Sequence, residues 1–258
     1  MKFDNLKERM LYFRSMTDYK LYPNSYVLVM LDGRAFSKLT KKNYTKPFDI
    51  DFVNIMDEVT KYLLKQVGNC KFAYTQSDEI TLVLTDFDTI TTDSFFGYRL
   101  SKILSVLPSI ATSKFNQLVA LNLLKKCSNI EEANEKISDM DLGEFDCKAW
   151  NVPSFNDVYS WLLYRQLDCV RNSKQQAAQT YLPKRSLLNK NTDEQISMLL
   201  NEKGIDWHKY DDGLKFGRFI YKEEIDGRTK PIIKNAFELY EEYGREKFEQ
   251  LNKIPKIE

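Results

Sequence analysis

The chain turns on Ala73-Tyr74-Thr75-Gln76-Ser77-Asp78-Glu79-Ile80-Thr81-Leu82-Val83-Leu84. An apolar pair enters this stretch, the polar knot Gln76-Ser77-Asp78-Glu79 follows, and an alternating apolar run leaves it. The pattern predicts two short strands joined by a tight acidic turn. A natural partner lies upstream, in Tyr26-Val27-Leu28-Val29-Met30-Leu31-Asp32-Gly33-Arg34. That run is nearly all apolar, as expected of a strand flanked on both sides in its sheet, and it ends in an acid and a glycine. Two strands that each end in an aspartate bring their carboxylates together at one sheet edge. Oxygen ligands of this kind suit Mg²⁺, which keeps waters and takes one or two carboxylates plus substrate phosphates. Asp32 and Asp78 are therefore candidates for a magnesium-dependent nucleotidyl-transfer site. Read by itself, Asp32 has a second role open to it, as N-cap of the next helix.

Working outward, Gly33 lets backbone approach a ligand closely. The amides that open the following helix, around Arg34, Ala35, Phe36 and Ser37, suit a phosphate. Lys46-Pro47-Phe48-Asp49 reads as a loop and a capped helix start. That helix carries Phe52, Ile55, Met56, Val59, Tyr62, Leu63 and Val67 on one stripe and ends near Gly68. With strands on either side of it and the acidic turn beyond, the order is β-α-β-β, as in ferredoxin-like sheets. A helix is expected over residues 93–115, with Phe96, Leu100, Ile103, Leu104, Leu107 and Ile110 inward. Arg99 and Lys102 share another of its faces, either as solvated surface or as a triphosphate clamp.

An acidic peripheral helix is expected over 128–140, a fourth strand over 143–152 and a long amphipathic helix over 155–180. The last mixes Trp161 and Tyr164 with Arg165, Arg171 and Asn172, a set that can stack on bases and contact phosphates. It also suits the wet face of a packing helix. Lys184 and Arg185 lie in a basic loop. A short helix opens at Thr192, a strand spans 215–221 with a hairpin partner around Ile232, and a charged helix spans 236–251. Residues 3–16, with Leu6, Met10, Leu11 and Phe13 at helical spacing, read as a packing helix.

With 258 residues, 43% of them hydrophobic, the chain can bury one large core or two small ones. Only 9 glycines and 7 prolines argue against a fibrous or disordered chain. No apolar run approaches the ~20 residues of a membrane span, and the charged start is unlike a secretory signal core. The expectation is a soluble cytoplasmic protein with no membrane partner, or a mitochondrial one behind a cleaved presequence. Four cysteines without a C-x-x-C pair read as reduced and mostly buried. A single histidine, His208, argues against histidine base or metal chemistry. At a net charge of +1, a nucleic-acid partner requires basic side chains gathered on one face.

These motifs together resemble the tRNA-His guanylyltransferase superfamily, the enzymes that add nucleotides to RNA in the 3′-to-5′ direction. The resemblance rests on Leu31-Asp32-Gly33-Arg34 with Phe36, on Lys46-Pro47-Phe48-Asp49 and on Tyr74-Thr75-Gln76-Ser77-Asp78-Glu79. It continues through Arg99 with Ser101-Lys102, Phe145-Asp146, and Trp161 with Arg165-Gln166, Asp168-Cys169 and Asn172. It covers roughly residues 1–190. It implies an α+β fold with a polymerase-palm-like antiparallel sheet, packed helices and a helical and β-hairpin C-terminal extension. The chain would be one unit, with a palm-like core over about 20–152 and RNA-contacting helices and the extension over about 153–258. Two Mg²⁺ would be held by Asp32, Asp78 and the Gly33 carbonyl, with Glu79 in a lesser catalytic role. Nucleotide contacts would run from Asp32 to Ser37 and include Ser77, with Arg99, Lys102 and Lys46 at the triphosphate. RNA contacts would fall on Arg165, Arg171, Asn172, Lys184 and Arg185. The family activates a 5′-monophosphorylated RNA end with ATP or GTP, and the 3′-hydroxyl of an incoming nucleotide attacks that end. The expected partners are tRNA and nucleoside triphosphates, and the expected assembly is a homotetramer.

Two departures stand out. Enzymes specific for histidine tRNA carry His-Ile-Asn-Asn where this chain has Val170-Arg171-Asn172-Ser173. That pattern is similar to the guanylyltransferase-like branch, which repairs or edits 5′ ends using a template nucleotide. Met30 stands where some members carry arginine. The rival readings are a strict histidine-tRNA guanylyltransferase, a palm-fold nucleotide cyclase and a catalytically silent RNA-binding protein.

Overall fold

A computed structural model describes residues 2–251 and 253–257. Along the chain run α1 (Leu6–Ser15), β1 (Tyr26–Gly33), α2 (Phe36–Asn43), α3 (Ile50–Gln66), β2 (Cys70–Gln76), β3 (Glu79–Leu84), α4 (Leu100–Lys126), α5 (Ile130–Ser138) and β4 (Phe145–Val152). Then come α6 (Phe155–Tyr181), α7 (Thr192–Lys203), α8 (Asp212–Phe216), β5 (Arg218–Ile225), β6 (Arg228–Asn235) and α9 (Glu242–Gln250).

The strands form one antiparallel sheet in the order β4-β1-β3-β2-β5-β6. β1 lies between β3 and β4, and its two faces are apolar because a packed layer covers each side of the sheet. Alternate residues serve two cores. Val27, Val29 and Leu31 pack with α3 and α4. Tyr26, Leu28, Tyr74 and Val83 pack with α6 and the C-terminal segments. β2 and β3 are joined by the Ser77-Asp78 turn, with Ser77 at φ +48. The C-terminal hairpin β5–β6 hydrogen-bonds to β2 and so extends the same sheet.

Several boundaries differ from expectation for local reasons. The helix expected from residue 93 begins at Leu100, because Phe96, Gly97 and Tyr98 take positive φ and break the helical path. It then runs on to Lys126, and both Phe96 and Leu104 are exposed. Tyr62 falls off the buried stripe of α3. β5 starts at Arg218 because α8 occupies the preceding residues. Gly217 links them at φ +82, where a Cβ would lie 2.5 Å from the Tyr74 hydroxyl. The terminal helix is confined to α9. α1 buries none of its residues, so it is not a packing helix within one copy; Leu6 is 74% exposed. Cys70 and Cys169 are buried, while Cys127 and Cys147 are only half-buried.

One side chain ties the C-terminal segments to the rest. Gln166 on α6 is fully buried. Its Nε2 donates to the carbonyls of Phe216 (3.3 Å) and Phe237 (2.8 Å), and its Oε1 accepts from the Leu239 amide (2.6 Å). Truncation would orphan the Phe237 carbonyl and the Leu239 amide, while the Phe216 carbonyl keeps its bond from the Tyr74 hydroxyl (2.8 Å). Each orphaned group costs about 1 kcal/mol or more. Gln166→Ala is therefore expected to lower unfolding free energy in urea by about 2 kcal/mol. A loss below about 1 kcal/mol would show that these bonds are not what holds the segment.

Candidate active site

The β1–β3 register sets Asp32 opposite Glu79, and Asp78 sits one residue away in the turn. The Gly33 amide donates to the Asp78 carbonyl at 3.2 Å, which joins the two aspartate-bearing segments directly. They meet at one end of the sheet, where these interior strands finish. β4 adds Asp146 opposite Asp32. The Asp32 carboxyl is pushed up by burial, then by the charges of Asp78 and Asp146. Burial also pushes Asp78 up, opposed by the Ser77 hydroxyl at 2.9 Å and by Lys46. The arrangement is a pair of mutually repelling carboxylates.

Asp32 does not cap the following helix. The N-cap of α2 is Ala35, at φ 57 and without a side-chain cap bond. The amides of Ala35, Phe36 and Ser37 find no acceptor among the described residues. They are free donors at a helix start that follows Asp32 by three residues. Glycine is required at position 33, because a Cβ there would lie 2.4 Å from the Phe36 ring. Phe36 itself is buried, with its ring centroid 5.0 Å from that of Phe115 and 5.1 Å from that of Phe145. Its side chain is therefore core, and only its backbone is left for a ligand. Arg34 is tied to Glu144, Nη1 to Oε2 at 2.6 Å, on the exposed rim.

Lys46 arrives from the α2–α3 loop. Asp49 caps α3 by accepting from the Phe52 amide (3.1 Å), and it also accepts from the amide and hydroxyl of Thr45 (3.0 and 2.9 Å). That fixes the loop so that Lys46 Nζ donates to Thr40 at 3.2 Å. Burial pulls the Lys46 amine down, while Asp78 and Asp49 push it up. A cleft lined by Lys46, Ser77, Asn172 and Arg218 opens beside the turn.

Other expected residues do not converge there. The Phe145 amide donates to Thr112 at 3.1 Å, so the aspartate end of the sheet faces the middle of α4. The helix starts at Leu100, about 18 Å away at 1.5 Å per residue. Arg99 lies at that far end, donating to Asp18 at 2.9 Å, and Lys102 is exposed one turn on. Lys184 and Arg185 follow the C-terminus of α6, more than about 20 Å along the chain from Arg165.

Arg165 and Glu79 take each other out of the roles expected of them. Arg165 Nε and Nη2 bond both Glu79 oxygens at 2.7 and 2.5 Å, and Nη2 reaches Asp168 at 3.0 Å. Both side chains are about nine-tenths buried. Arg165 is thus not open to RNA, and Glu79 is not free to ligate; the pair holds the turn against α6. Burial pushes Glu79 up and Arg165 opposes it. Arg171 is exposed and pairs with Asp168. Asp146 was present in the motif set, but no role for it was legible before β4 was placed beside β1.

No group of three or more His, Cys, Asp or Glu side chains gathers at metal-holding geometry among the described residues. The Asp32 and Asp78 carboxylates and the Gly33 carbonyl are nonetheless hard oxygen donors of the kind Mg²⁺ accepts. In metal-free protein, the raised Asp78 carboxyl keeps its proton to higher pH in the native state than in the unfolded chain. Its stabilising contribution is present below the ordinary value of 3.8 and is lost as pH rises through the raised one. Asp78→Asn should therefore melt higher than wild type in EDTA at neutral pH, with the gap closing below about pH 4. Added Mg²⁺ should raise the wild-type melting temperature and leave the variant unmoved. A variant that melts lower throughout would contradict the electrostatic origin of the shift.

Comparison with known proteins adds a second line of observation. A family model described as "Thg1: tRNAHis guanylyltransferase" matches residues 7–153. A protein of Acanthamoeba polyphaga mimivirus, named R259, is 30% identical over 246 residues, covering 90% of this chain and 83% of its own. The tRNA(His) guanylyltransferase of Debaryomyces hansenii is 24% identical over 214 residues, covering 79% of this chain and 76% of its own. Among solved structures, a bacterial tRNA(His) guanylyltransferase (Thg1)-like protein in complex with ATP superposes with a TM-score of 0.81 at 32% identity, covering 95% of this chain and 98% of that one. The Saccharomyces cerevisiae tRNA(His) guanylyltransferase superposes with a TM-score of 0.67 at 22% identity over 86% of this chain and 95% of its own, a likeness of fold.

Proposed function

The chain belongs to the tRNA(His) guanylyltransferase family of nucleotidyltransferases, and from that premise we propose that it is a template-dependent 3′-to-5′ nucleotidyltransferase for tRNA 5′-end repair or editing. The observation that carries this reading is the meeting of Asp32 and Asp78 at the ends of paired strands, beside free amides and Lys46. Its substrates would be a 5′-monophosphorylated tRNA, activated by ATP or GTP, and an incoming nucleoside triphosphate whose 3′-hydroxyl attacks the activated end.

Asp32, Asp78 and the Gly33 carbonyl would hold two Mg²⁺. Bound there, the ions would polarise the attacking hydroxyl and neutralise the leaving oxygen. The amides of Ala35, Phe36 and Ser37 and the Lys46 amine would hold phosphate oxygens. Glu79 serves as a brace through Arg165. Asn172 in the cleft, Arg171 on the outer side of α6 and the distant Lys184 and Arg185 would meet the body of a long substrate.

Repair is favoured over strict guanosine addition by Val170-Arg171-Asn172-Ser173 and by the near full-length likeness to a bacterial Thg1-like protein. The deciding experiment sequences 5′ ends after incubation with Mg²⁺, ATP and all four triphosphates. A tRNA lacking its first nucleotide should gain the templated base. Guanosine added only to histidine tRNA lacking its extra guanosine would move the assignment to the strict enzyme. No addition to either by folded protein would favour a cyclase or a non-catalytic RNA-binding protein.

Homotetramer assembly belongs to the same reading. In one copy Arg99 and Lys102 lie too far from the aspartates to share a triphosphate with them. The apolar side chains of α1 are left uncovered beside them. Light scattering at working concentration should give about four chain masses of 30.4 kDa. A monomeric mass would remove Arg99 and Lys102 from the site.

A further inference from the structure

The side chains of Leu28, Met30 and Asp32 point to the α6 face of the sheet, as do their β4 partners Trp150, Lys148 and Asp146. On β3 the same face carries Thr81 and Glu79. α6 lies over β3, with Trp161 Nε1 donating to Thr81 at 3.2 Å and Arg165 to Glu79. The β4 half of this face is left open, with Lys148 and Asp146 exposed and Trp150 and Met30 half-buried.

Three aromatic rings border the open strip. Trp150 and Trp161 lie 4.6 Å apart between centroids, and Trp161 and Tyr164 5.7 Å apart. The Arg165 guanidinium stands 5.0 Å from the Tyr164 centroid and 5.9 Å from that of Trp161. Arg165 is fixed by Glu79, so the rings are referenced to the strand end that carries Asp32. Tyr164 is nonetheless 57% exposed. A ring held this firmly yet left in water gains little for folding. Lys148 forms no ion pair among the described residues. One rigid exposed ring backed by two half-buried ones, with Lys148 alongside, suits nucleobases and their linking phosphates.

We infer that Tyr164, Trp161 and Trp150 form the stacking platform for the 5′-terminal nucleotides of the RNA, with Tyr164 under the base nearest the reacting end and Lys148 at a phosphate. This rests on the reading that an RNA end enters at Asp32 and Asp78. Trp150 is four residues along β4 from Asp146, about 13 Å, which matches roughly four stacked bases. The carboxylates repel phosphate unless a cation intervenes, so the strip rather than the acidic end supplies the metal-independent part of binding.

The test uses a 5′-phosphorylated tRNA lacking its first nucleotide. Binding is read in EDTA by quenching of tryptophan emission, and steady-state addition is read with Mg²⁺. Tyr164→Ala should weaken RNA binding and raise KM for RNA about tenfold, with KM for the nucleoside triphosphates unchanged. Tyr164→Trp should stay within about twofold of wild type. Lys148→Gln should lower RNA affinity and flatten its salt dependence. Tyr164 is exposed, so circular dichroism should show all three variants folded. Unchanged RNA affinity and KM in Tyr164→Ala would overturn the platform, as would a rise confined to the triphosphate KM. If wild type adds no nucleotide yet quenching by RNA depends on Tyr164, the platform stands and the enzymatic reading fails. If addition proceeds and Tyr164→Ala is indifferent, the platform fails and the enzymatic reading stands.

Discussion

The antiparallel pairing of β1 with β3 is the constraint on which the acidic end of this molecule depends. Side chains alternate across a sheet, so a one-residue slip would turn Asp32 into the α3–α4 core and bring Leu31 out. Val27, Val29 and Leu31 are fully buried on that core face. A slip would move Leu31 to the half-open end of the other face, at a cost of about 1.5–3 kcal/mol, and would bury the Asp32 carboxylate in its place. Val27 and Val29, by contrast, would exchange with Tyr26 and Leu28, which are buried as well. Apolar packing thus sets the register, and the register holds Asp32 and Asp78 together against their mutual repulsion. The raised carboxyls are a consequence of the core.

α6 links that end to the rest of the chain through two adjacent residues. Arg165 reaches the acidic turn, and Gln166 reaches the segments after α8. Buried ion pairs add little net stability, because desolvation offsets most of the attraction. Breaking one leaves an unpaired buried charge, so the Arg165–Glu79 pair restricts where α6 can lie more than it stabilises the fold. The same guanidinium sets the rings of Tyr164 and Trp161. The turn, the helix and its aromatic border are therefore positioned as one unit.

What was legible in the sequence was local. The β2–β3 turn, the apolar β1 and the Asp49 cap of α3 follow from alternation and capping within a few residues. What was not legible depends on partners far along the chain. Glu79 and Arg165 are 86 residues apart, and until they meet, each reads as a free charge in a functional motif. Arg99 and Lys102 share a helical spacing, but spacing says nothing about which end of α4 faces the aspartates. The hairpin's pairing with β2 sets Tyr74 opposite Phe219, far along the chain, and the Tyr74 hydroxyl also reaches Phe216 at the end of α8. Phe36 matched a nucleotide-binding motif, yet it serves that loop from beneath as part of an aromatic cluster.

A chain of net charge +1 that acts on RNA, as proposed here, sets 38 basic residues against 37 acidic ones. Arg165 is committed to Glu79 and Arg218 to Asp57, both in buried pairs, while Arg34 and Arg171 are paired at the surface. Phosphate contacts release counterions and give binding a steep salt dependence, whereas stacking does not. With so many of its guanidiniums engaged internally, the protein would depend on aromatic surface and on cation-bridged carboxylates more than on a basic groove. Affinity for an RNA end would then be local to the strip beside Asp32. That suits a protein that must recognise where a strand begins rather than hold its whole length.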